Sequence, residues 1–453
     1  MPLSNSLESW LDWLETIHPT TIDMTLERVE RVAARLQLGS VEIPLITVAG
    51  TNGKGSTVAM LAAIYSANGY NVGSYTSPHI IDFRERIRIN GAMVDGSVIV
   101  QAFRAIEDLR EPDTLTFFEY TTLAAMQVFI DAAVDVIVLE VGLGGRLDAT
   151  NLWDTDCAIL TSIALDHESY LGSDRSVIAT EKAAIGRPGK PFVLGELDPP
   201  DSFWAYAKEH SLLVEDIGSL PIAALPLTSL PGDHQRRNAG CAVTAVELMS
   251  KQLPVDALKV DSALMQVQID GRFSRHQVNG ITVITDVAHN PAGASTLVDT
   301  WYAEMGDQTA HLVFAALGDK DIAGVATALA PIVAHWHCAA LDDARAMQAG
   351  AMQAIVEQSL VEQSLVENCL ADPTLTGPAV TDPAHADLTH ADFALTESAL
   401  TESALGAQAA TVTAYASTAD ALDAAMTAAG TDNKPVLVCG SFYTIAAIQP
   451  SLL

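Results

Sequence analysis

The stretch Ile46-Thr47-Val48-Ala49-Gly50-Thr51-Asn52-Gly53-Lys54-Gly55-Ser56 reads as a buried strand, a glycine-rich turn and a helix starting near Ser56. Glycines let backbone N–H groups approach an anion, a helix N-terminus adds favourable partial charge, and a lysine neutralises phosphate oxygens. Parts in that order make a cradle for a nucleoside triphosphate, with Gly50, Thr51, Asn52, Gly53, Lys54, Gly55 and Ser56 around the phosphates. The spacing departs from the usual GxxxxGK[ST], and Gly55, directly after Lys54, has no hydroxyl to offer magnesium. The metal ligands must come from elsewhere in the chain.

Outward from the cradle, residues 45–49, 134–141 and 158–163 are apolar runs typical of buried parallel strands, separated by helical stretches at 57–68 and 121–133. Two further helices, 7–17 and 26–38, precede the first strand. After Asp270-Gly271-Arg272-Phe273 the strand-and-helix alternation restarts at 281–287 and 311–316, with a last strand at 435–439. The pattern predicts an α/β protein. A P-loop-containing, doubly wound N-terminal domain occupies residues 1–275, and a smaller Rossmann-like α/β C-terminal domain occupies 276–453.

Residues 350–410 differ from both domains. VEQSL occurs at 356–360 and again at 361–365, TESAL at 396–400 and 401–405, and the stretch holds no Lys or Arg. Each five-residue step turns a helix by about 140° at 100° per residue, so the repeats alone form no fixed apolar stripe. The segment is expected to be an acidic low-complexity insertion, a mobile excursion that catalysis does not need. A packed accessory helix or a partner-binding tail is the alternative.

The 453 residues carry a formal charge of −32 and are 49% hydrophobic. That length and composition support two or three cores. The charge argues against nucleic acid or an anionic membrane as partner, because those need clustered Lys and Arg. Anionic substrates must then be held by local cations. Five scattered cysteines, odd in number and without metal-like pairing, suit a reducing compartment, and no zinc site is implied. The opening Met1-Pro2-Leu3-Ser4-Asn5 shows no basic leader with an apolar stretch, and no run of about 18 apolar residues occurs. A cytoplasmic monomer is the expectation.

Ser77, Glu140 and His167 each lie at the end of a strand-like run. In a parallel sheet ligands gather at strand C-termini, so these residues are candidates to converge beside the phosphate loop. The glycine-rich 139–151, with Arg146 and Asp148, directly follows the buried run ending in Glu140 and is suited to touching a substrate.

The ordered set GTNGKGS (50–56), TSPH (76–79), FEYTTL (118–123), LEVGLGGRLDATN (139–151), TSIALDH (161–167), EKAAI (181–185), GRF (271–273), DVAHNP (286–291) and CGSF (439–442) resembles the folylpolyglutamate synthase family of the Mur-ligase superfamily. Within it, the likeness is to the bacterial bifunctional branch that also makes dihydrofolate. The resemblance implies an ATP- and Mg2+-dependent ligase that joins L-glutamate to dihydropteroate and to tetrahydrofolate through an acyl phosphate. It implies magnesium at Ser77, Glu140 and His167, and a carbamylated Lys182 acting in catalysis beside Lys54. ATP contacts are implied at Asn238, Arg272 and Asp286. The pterin side would comprise Asp23, Met24, Thr25 and Leu26, then Thr116, Phe117, Phe118 and Glu119, then Leu147, Asp148 and Ala149. His289 and Ser441 would take the glutamate side, with His289 counted among the catalytic groups. Thr121, Trp153 and the residues before Asp319-Lys320-Asp321 depart from the family pattern and bear on fine substrate preference. A Mur-type cell-wall amino-acid ligase shares the loop and the acyl-phosphate route, and a non-catalytic P-loop switch shares the loop alone.

Overall fold

Residues Leu45–Ala49 form β1, and every one of them is buried. A strand covered on both faces is apolar throughout rather than alternating, which is why its bounds are readable. The computed structural model describes residues 6–371 and 410–452. They fall into two compact units, one ending at Arg272 and the other starting at Phe273.

In the first unit β1 is central. With β2 (Val72–Tyr75), β3 (Ile87–Ile89), β4 (Ala92–Met93), β5 (Val136–Glu140), β6 (Cys157–Leu160), β7 (Pro191–Leu194) and β8 (Leu213–Asp216) it builds a sheet in the order β4-β3-β2-β5-β1-β6-β7-β8. The six strands from β2 to β8 across β1 run parallel, and β3 and β4 add an antiparallel edge. Leu45 joins a core with Trp10, Val29, Phe103 and Phe129. Its neighbours Ile46 and Val48 join the opposite core with Val58, Leu61, Ala242 and Val246. Helices thus cover both faces, as a doubly wound sheet requires. The connections from β1 to β2 and from β5 to β6 leave in opposite directions, which opens a crevice at the C-terminal ends of β5, β1 and β6.

The departures Trp153 and Thr121 are absorbed by packing. Trp153 is buried and its indole N–H donates to Leu38 O at 2.6 Å. Thr121 shares a 2.9 Å hydrogen bond with the Tyr75 hydroxyl.

The second unit holds β9 (Ser274–Val278), β10 (Ile281–Thr285), β11 (Ala310–Phe314), β12 (Val333–Ala339), β13 (Thr411–Tyr415) and β14 (Val436–Cys439), ordered β13-β12-β11-β14-β10-β9. All but β9 run parallel. The two α/β units agree with the expected fold class.

The 350–410 stretch is corrected in its first part. Ala349–Ala371 is a helix, with Met352 and Val356 fully buried in the second unit's core and Ile355 and Leu360 packed against it. The repeat does turn its apolar residues away, since Val361, the second copy's equivalent of Val356, is 60% exposed. The stripe that packs is 352, 356 and 359, one face of a helix that begins before the repeat. A second near-repeat, HADLT/HADFA at 385–394, and the TESAL copies lie outside the described residues. Deleting 350–410 as a block would therefore remove core side chains. Met352→Ala should lower stability by about 2–5 kcal/mol, whereas Val361→Ala should change it by less than about 0.5 kcal/mol. Urea midpoints of the two variants check this, and equal effects would mean the helix does not pack.

Candidate active site

Gly50 ends β1 in a conformation (φ 151°) where an added Cβ would lie 1.9 Å from Thr161 Oγ1. Only glycine lets the loop approach the end of β6 so closely. The loop is then fastened there. Thr51 N donates to Ser162 O at 2.9 Å, Asn52 N to Ser162 Oγ at 2.9 Å, and Thr51 Oγ1 to Ala164 O at 3.0 Å. Gly53, at φ 89°, caps the Lys54–Ala67 helix. Its left-handed backbone starts the helix at Lys54, two residues before the expected Ser56. The Ser56 hydroxyl is buried without a hydrogen-bond partner.

Lys54 curls back over the turn, with Nζ donating to Gly50 O at 3.0 Å and Thr51 O at 3.1 Å. Lys182 comes from the Arg175–Ala183 helix, is buried, and donates to the same Gly50 O at 3.2 Å. Burial lowers the Lys54 pKa from its ordinary value, and Arg272 pushes the same way, while Glu140 and Asp166 oppose them. Burial, reinforced by the Lys54 charge, brings Lys182 down to about 7.

Glu140 closes β5 and is buried. Its Oε2 accepts from Ser77 N at 3.1 Å, which joins the ends of β2 and β5. Gly55 faces it with no side chain, and a Cβ there would sit 3.4 Å from Glu140 Oε2. Burial raises the Glu140 pKa, opposed mainly by Lys54. His167 caps a short helix in the left-handed region (φ 53°), three residues beyond the Ala164 that fastens Thr51. Asn238 is buried on the Asp233–Leu248 helix, and its Oδ1 would be 2.5 Å from a Cβ on Gly53, so it abuts the phosphate loop. Arg272 acts electrostatically on both Lys54 and Glu140.

The three loops assigned to the pterin also meet. Thr116 and Glu119 form a reciprocal cap on the Phe117–Asp131 helix. Arg28, which the sequence reading missed, ties this cap to the first loop. It donates to Glu119 Oε1 at 2.9 Å, to Asp23 Oδ2 at 2.6 Å and to Thr25 Oγ1 at 2.9 Å. Its only sequence signal is a place five residues after Asp23. Phe118 packs on Gly142, whose Cβ would be 2.6 Å from the ring, and Met24 reaches Gly144. Phe117 lies under the Arg86 guanidinium at 5.5 Å, and Leu26 packs on the neighbouring core. Asp148 is buried, and its oxygens accept from Leu143 N at 2.8 Å and Thr150 N at 2.9 Å, so it braces the loop that carries Leu147 and Ala149.

In the second unit, Asp286 accepts from Phe273 N and Ala288 N, each at 2.9 Å. Gly440 N donates to Ala288 O at 2.9 Å, bringing the 286–290 turn beside Ser441. Ser441 caps the Phe442–Ile448 helix, its Oγ accepting from Thr444 N at 3.0 Å. The His289 and Phe442 rings lie 6.2 Å apart. The structure thus places His289 and Ser441 at one end of the second sheet.

The Mur ligase middle domain matches residues 48–212, and the Mur ligase glutamate ligase domain matches 271–372. The Escherichia coli K12 dihydrofolate synthase/folylpolyglutamate synthase is 40% identical over 365 residues, covering 76% of this chain and 84% of that protein. The structure of E. coli FolC in complex with DHPP and ADP matches with TM-score 0.81 at 34% identity, covering 98% of this chain and 97% of that one. The Yersinia pestis bifunctional folylpolyglutamate synthase/dihydrofolate synthase complexed with AMPPNP and Mn matches with TM-score 0.78 at 33% identity, covering 99% and 98%. With the phosphate loop, its two converging lysines and both α/β units in place, this chain belongs to the dihydrofolate synthase/folylpolyglutamate synthase family of Mur ligases.

Proposed function

We propose that this chain is an ATP-dependent ligase that joins L-glutamate to dihydropteroate, giving dihydrofolate, and to reduced folates, giving folylpolyglutamates. The observation that carries the reading is the cradle at residues 50–56, where two lysines converge on one carbonyl beside a buried carboxylate. A free carboxylate does not acylate an amine at a useful rate, because oxide is too poor a leaving group. Transfer of the ATP γ-phosphoryl to the pteroate or folate carboxylate gives an acyl phosphate and ADP. The glutamate amine then attacks the acyl carbon, and phosphate leaves as the amide forms, with one proton released. Positioning and charge neutralisation supply most of the acceleration in such transfers.

The loop amides and Lys54 orient the phosphates, Asn238 and Arg272 hold the rest of the nucleotide with Asp286, and the loops at Asp23–Leu26, 116–119 and 147–149 receive the pterin. His289 and Ser441 take the incoming glutamate. In domain terms, residues 1–275 serve nucleotide and pterin, and 276–453 form the glutamate-ligase part. Magnesium fits the donors present: Glu140 is a buried carboxylate with Ser77 bonded to its oxygen, Gly55 leaves room before it, and His167 follows the turn that clamps Thr51. Bound there, the ion neutralises developing charge on phosphoryl oxygens. No helix among the described residues is long and apolar enough to cross a membrane, and the proposal places the enzyme in the cytoplasm as a monomer without nucleic-acid partners.

Lys182 carries a further part of the proposal. A pKa near 7 leaves much of its amine neutral at physiological pH, and only the neutral amine has the lone pair that attacks carbon dioxide to give a carbamate, with one proton released to solvent. That product is an anion where the sequence shows a cation, and it reverses the local field beside Lys54.

Phosphate release from ATP with magnesium and glutamate should require either dihydropteroate or tetrahydrofolate, and no release with either would sink the assignment. Lys54→Ala should cut kcat by about 10²–10³-fold with circular dichroism unchanged. Lys182→Ala should lower kcat about 10²-fold, with formate or acetate restoring part of it. In bicarbonate-depleted enzyme, recovery on adding bicarbonate should be faster above pH 7, where the amine is neutral, than below it. Recovery independent of pH and of bicarbonate would exclude the carbamate.

A further inference from the structure

The second unit carries a cluster of imidazoles that the ligase chemistry does not use. His311 on β11 is the direct register partner of His335 on β12. His337, two residues further along β12, faces the same side of the sheet. The Thr418–Asp432 helix packs over that side through Ala421, Leu422, Ala425 and Ala429 against Val313 and Ala339, and its last residue, Asp432, lands on the histidines. His311 is 1% exposed, with Nε2 lying 3.1 Å from Asp432 Oδ1. The His311 and His335 rings stack at 4.8 Å with planes 10° apart. Ligand atoms of His311, His335 and Asp432 all lie within 4.8 Å of one another.

The atoms behind this trio are arranged as a support. His311 Nδ1 is 3.4 Å from His337 Nε2, and His337 Nδ1 is 3.1 Å from the Tyr415 hydroxyl on β13. Metal-ligating histidines commonly use the second ring nitrogen in such a hydrogen bond, which fixes tautomer and ring orientation. Lys434 holds Asp432 in place, its Nζ donating to Oδ2 at 2.7 Å and its backbone N–H to Oδ1 at 3.3 Å, while His311 Nε2 lies within 3.2 Å of both oxygens. Four bonds of about 2.1 Å around zinc set neighbouring ligand atoms roughly 3.4 Å apart. The His311–Asp432 spacing of 3.1 Å is close to that edge, and the site requires the partly exposed His335 ring to rotate towards it.

The geometry points to a second metal site in this chain, in which His311 Nε2, His335 and Asp432 Oδ1 bind a borderline dication of the zinc class, with solvent in the open fourth position. Two nitrogens and one carboxylate oxygen suit that class, whereas magnesium prefers an all-oxygen shell. Binding is dative and needs no redox partner. Binding through Nε2 requires the His311 proton on Nδ1, donated to His337 Nε2, and the His337 proton on Nδ1 towards Tyr415. His311 lies near the start of β11 while His289 and Ser441 lie beyond the far ends of β10 and β14, so the site stands at the opposite end of these strands, about 10 Å of strand away. It would clip β11 and β12 to the end of the Thr418–Asp432 helix.

The test is titration of the full chain with Co2+ alone in excess Mg2+, followed by Zn2+ displacement and thermal unfolding. One equivalent should give the intense visible absorption of a tetrahedral cobalt ion, and zinc should quench that absorption and raise the melting temperature. His335→Ala and Asp432→Asn should abolish both signals while phosphate-release activity stays within twofold of wild type, which verifies folding. His337→Gln should keep the stoichiometry but weaken affinity about 10- to 100-fold. Absence of the tetrahedral band in the wild type, or an unchanged band in His335→Ala and Asp432→Asn, would overturn the site and leave a hydrogen-bonded histidine network only.

Discussion

Gly50 O accepts hydrogen bonds from two lysines, Lys54 and Lys182, that arrive from different helices. In a chain with 56 acidic and 24 basic residues, this is a deliberate local inversion of charge. It depends on one backbone geometry. The carbonyl points into the cradle because Gly50 leaves β1 without a Cβ to strike Thr161, and because Thr161, Ser162 and Ala164 grip Thr51 and Asn52 from the end of β6. The central place of β1 follows from the same need. Only a strand with parallel neighbours on both sides can have its C-terminal turn clamped by one neighbour and faced by an acid from the other.

The electrostatics of this arrangement are unfavourable as they stand. Burial shifts Lys54, Lys182 and Glu140 towards their neutral forms, because desolvation penalises each charge more than the others compensate it. A site built this way recovers the cost when a polyanion and a dication arrive. Its groups are then already aimed, so little reorganisation is left for the reaction itself. Ligand binding and stability are thereby coupled, since a nucleotide that binds only the folded cradle shifts the folding equilibrium.

How much could be read from sequence differs by the range of the interaction concerned. The bounds of β1 were readable because burial on both faces leaves an unbroken apolar run. The helix start was displaced by two residues because its cap is a left-handed glycine, which has no capping side chain to announce it. The packing of the VEQSL helix is hidden in its repeat because the stripe begins at Met352, before the repeat, and the phase is set upstream. Motif residues flanking the cradle were legible as motifs. Arg28 was not, since its meaning comes from Glu119, 91 positions away. The histidine cluster shows the same limit: the alternation of His335 and His337 is visible in β12, but nothing local says that Asp432 ends above them.

Motif membership also fails to say whether a residue touches the ligand or shapes what does. Asp148 and Asp23 were both assigned to the pterin side, yet they stand differently. Asp148 is 5% exposed and spends its oxygens on Leu143 N and on Thr150. Burial raises its pKa, so the backbone donors around it are what keep a carboxylate tolerable there. Asp23 keeps a side chain 30% exposed and pairs with Arg28, itself 18% exposed. An ionised carboxylate accepts about four hydrogen bonds, so the Asp23–Arg28 pair retains both an acceptor and a reachable edge for a heterocycle that offers donors and acceptors together. On the proposed function, Asp148 would act on the pterin through the loop it holds, and the direct polar contact on that side would fall to Asp23 with Arg28 behind it.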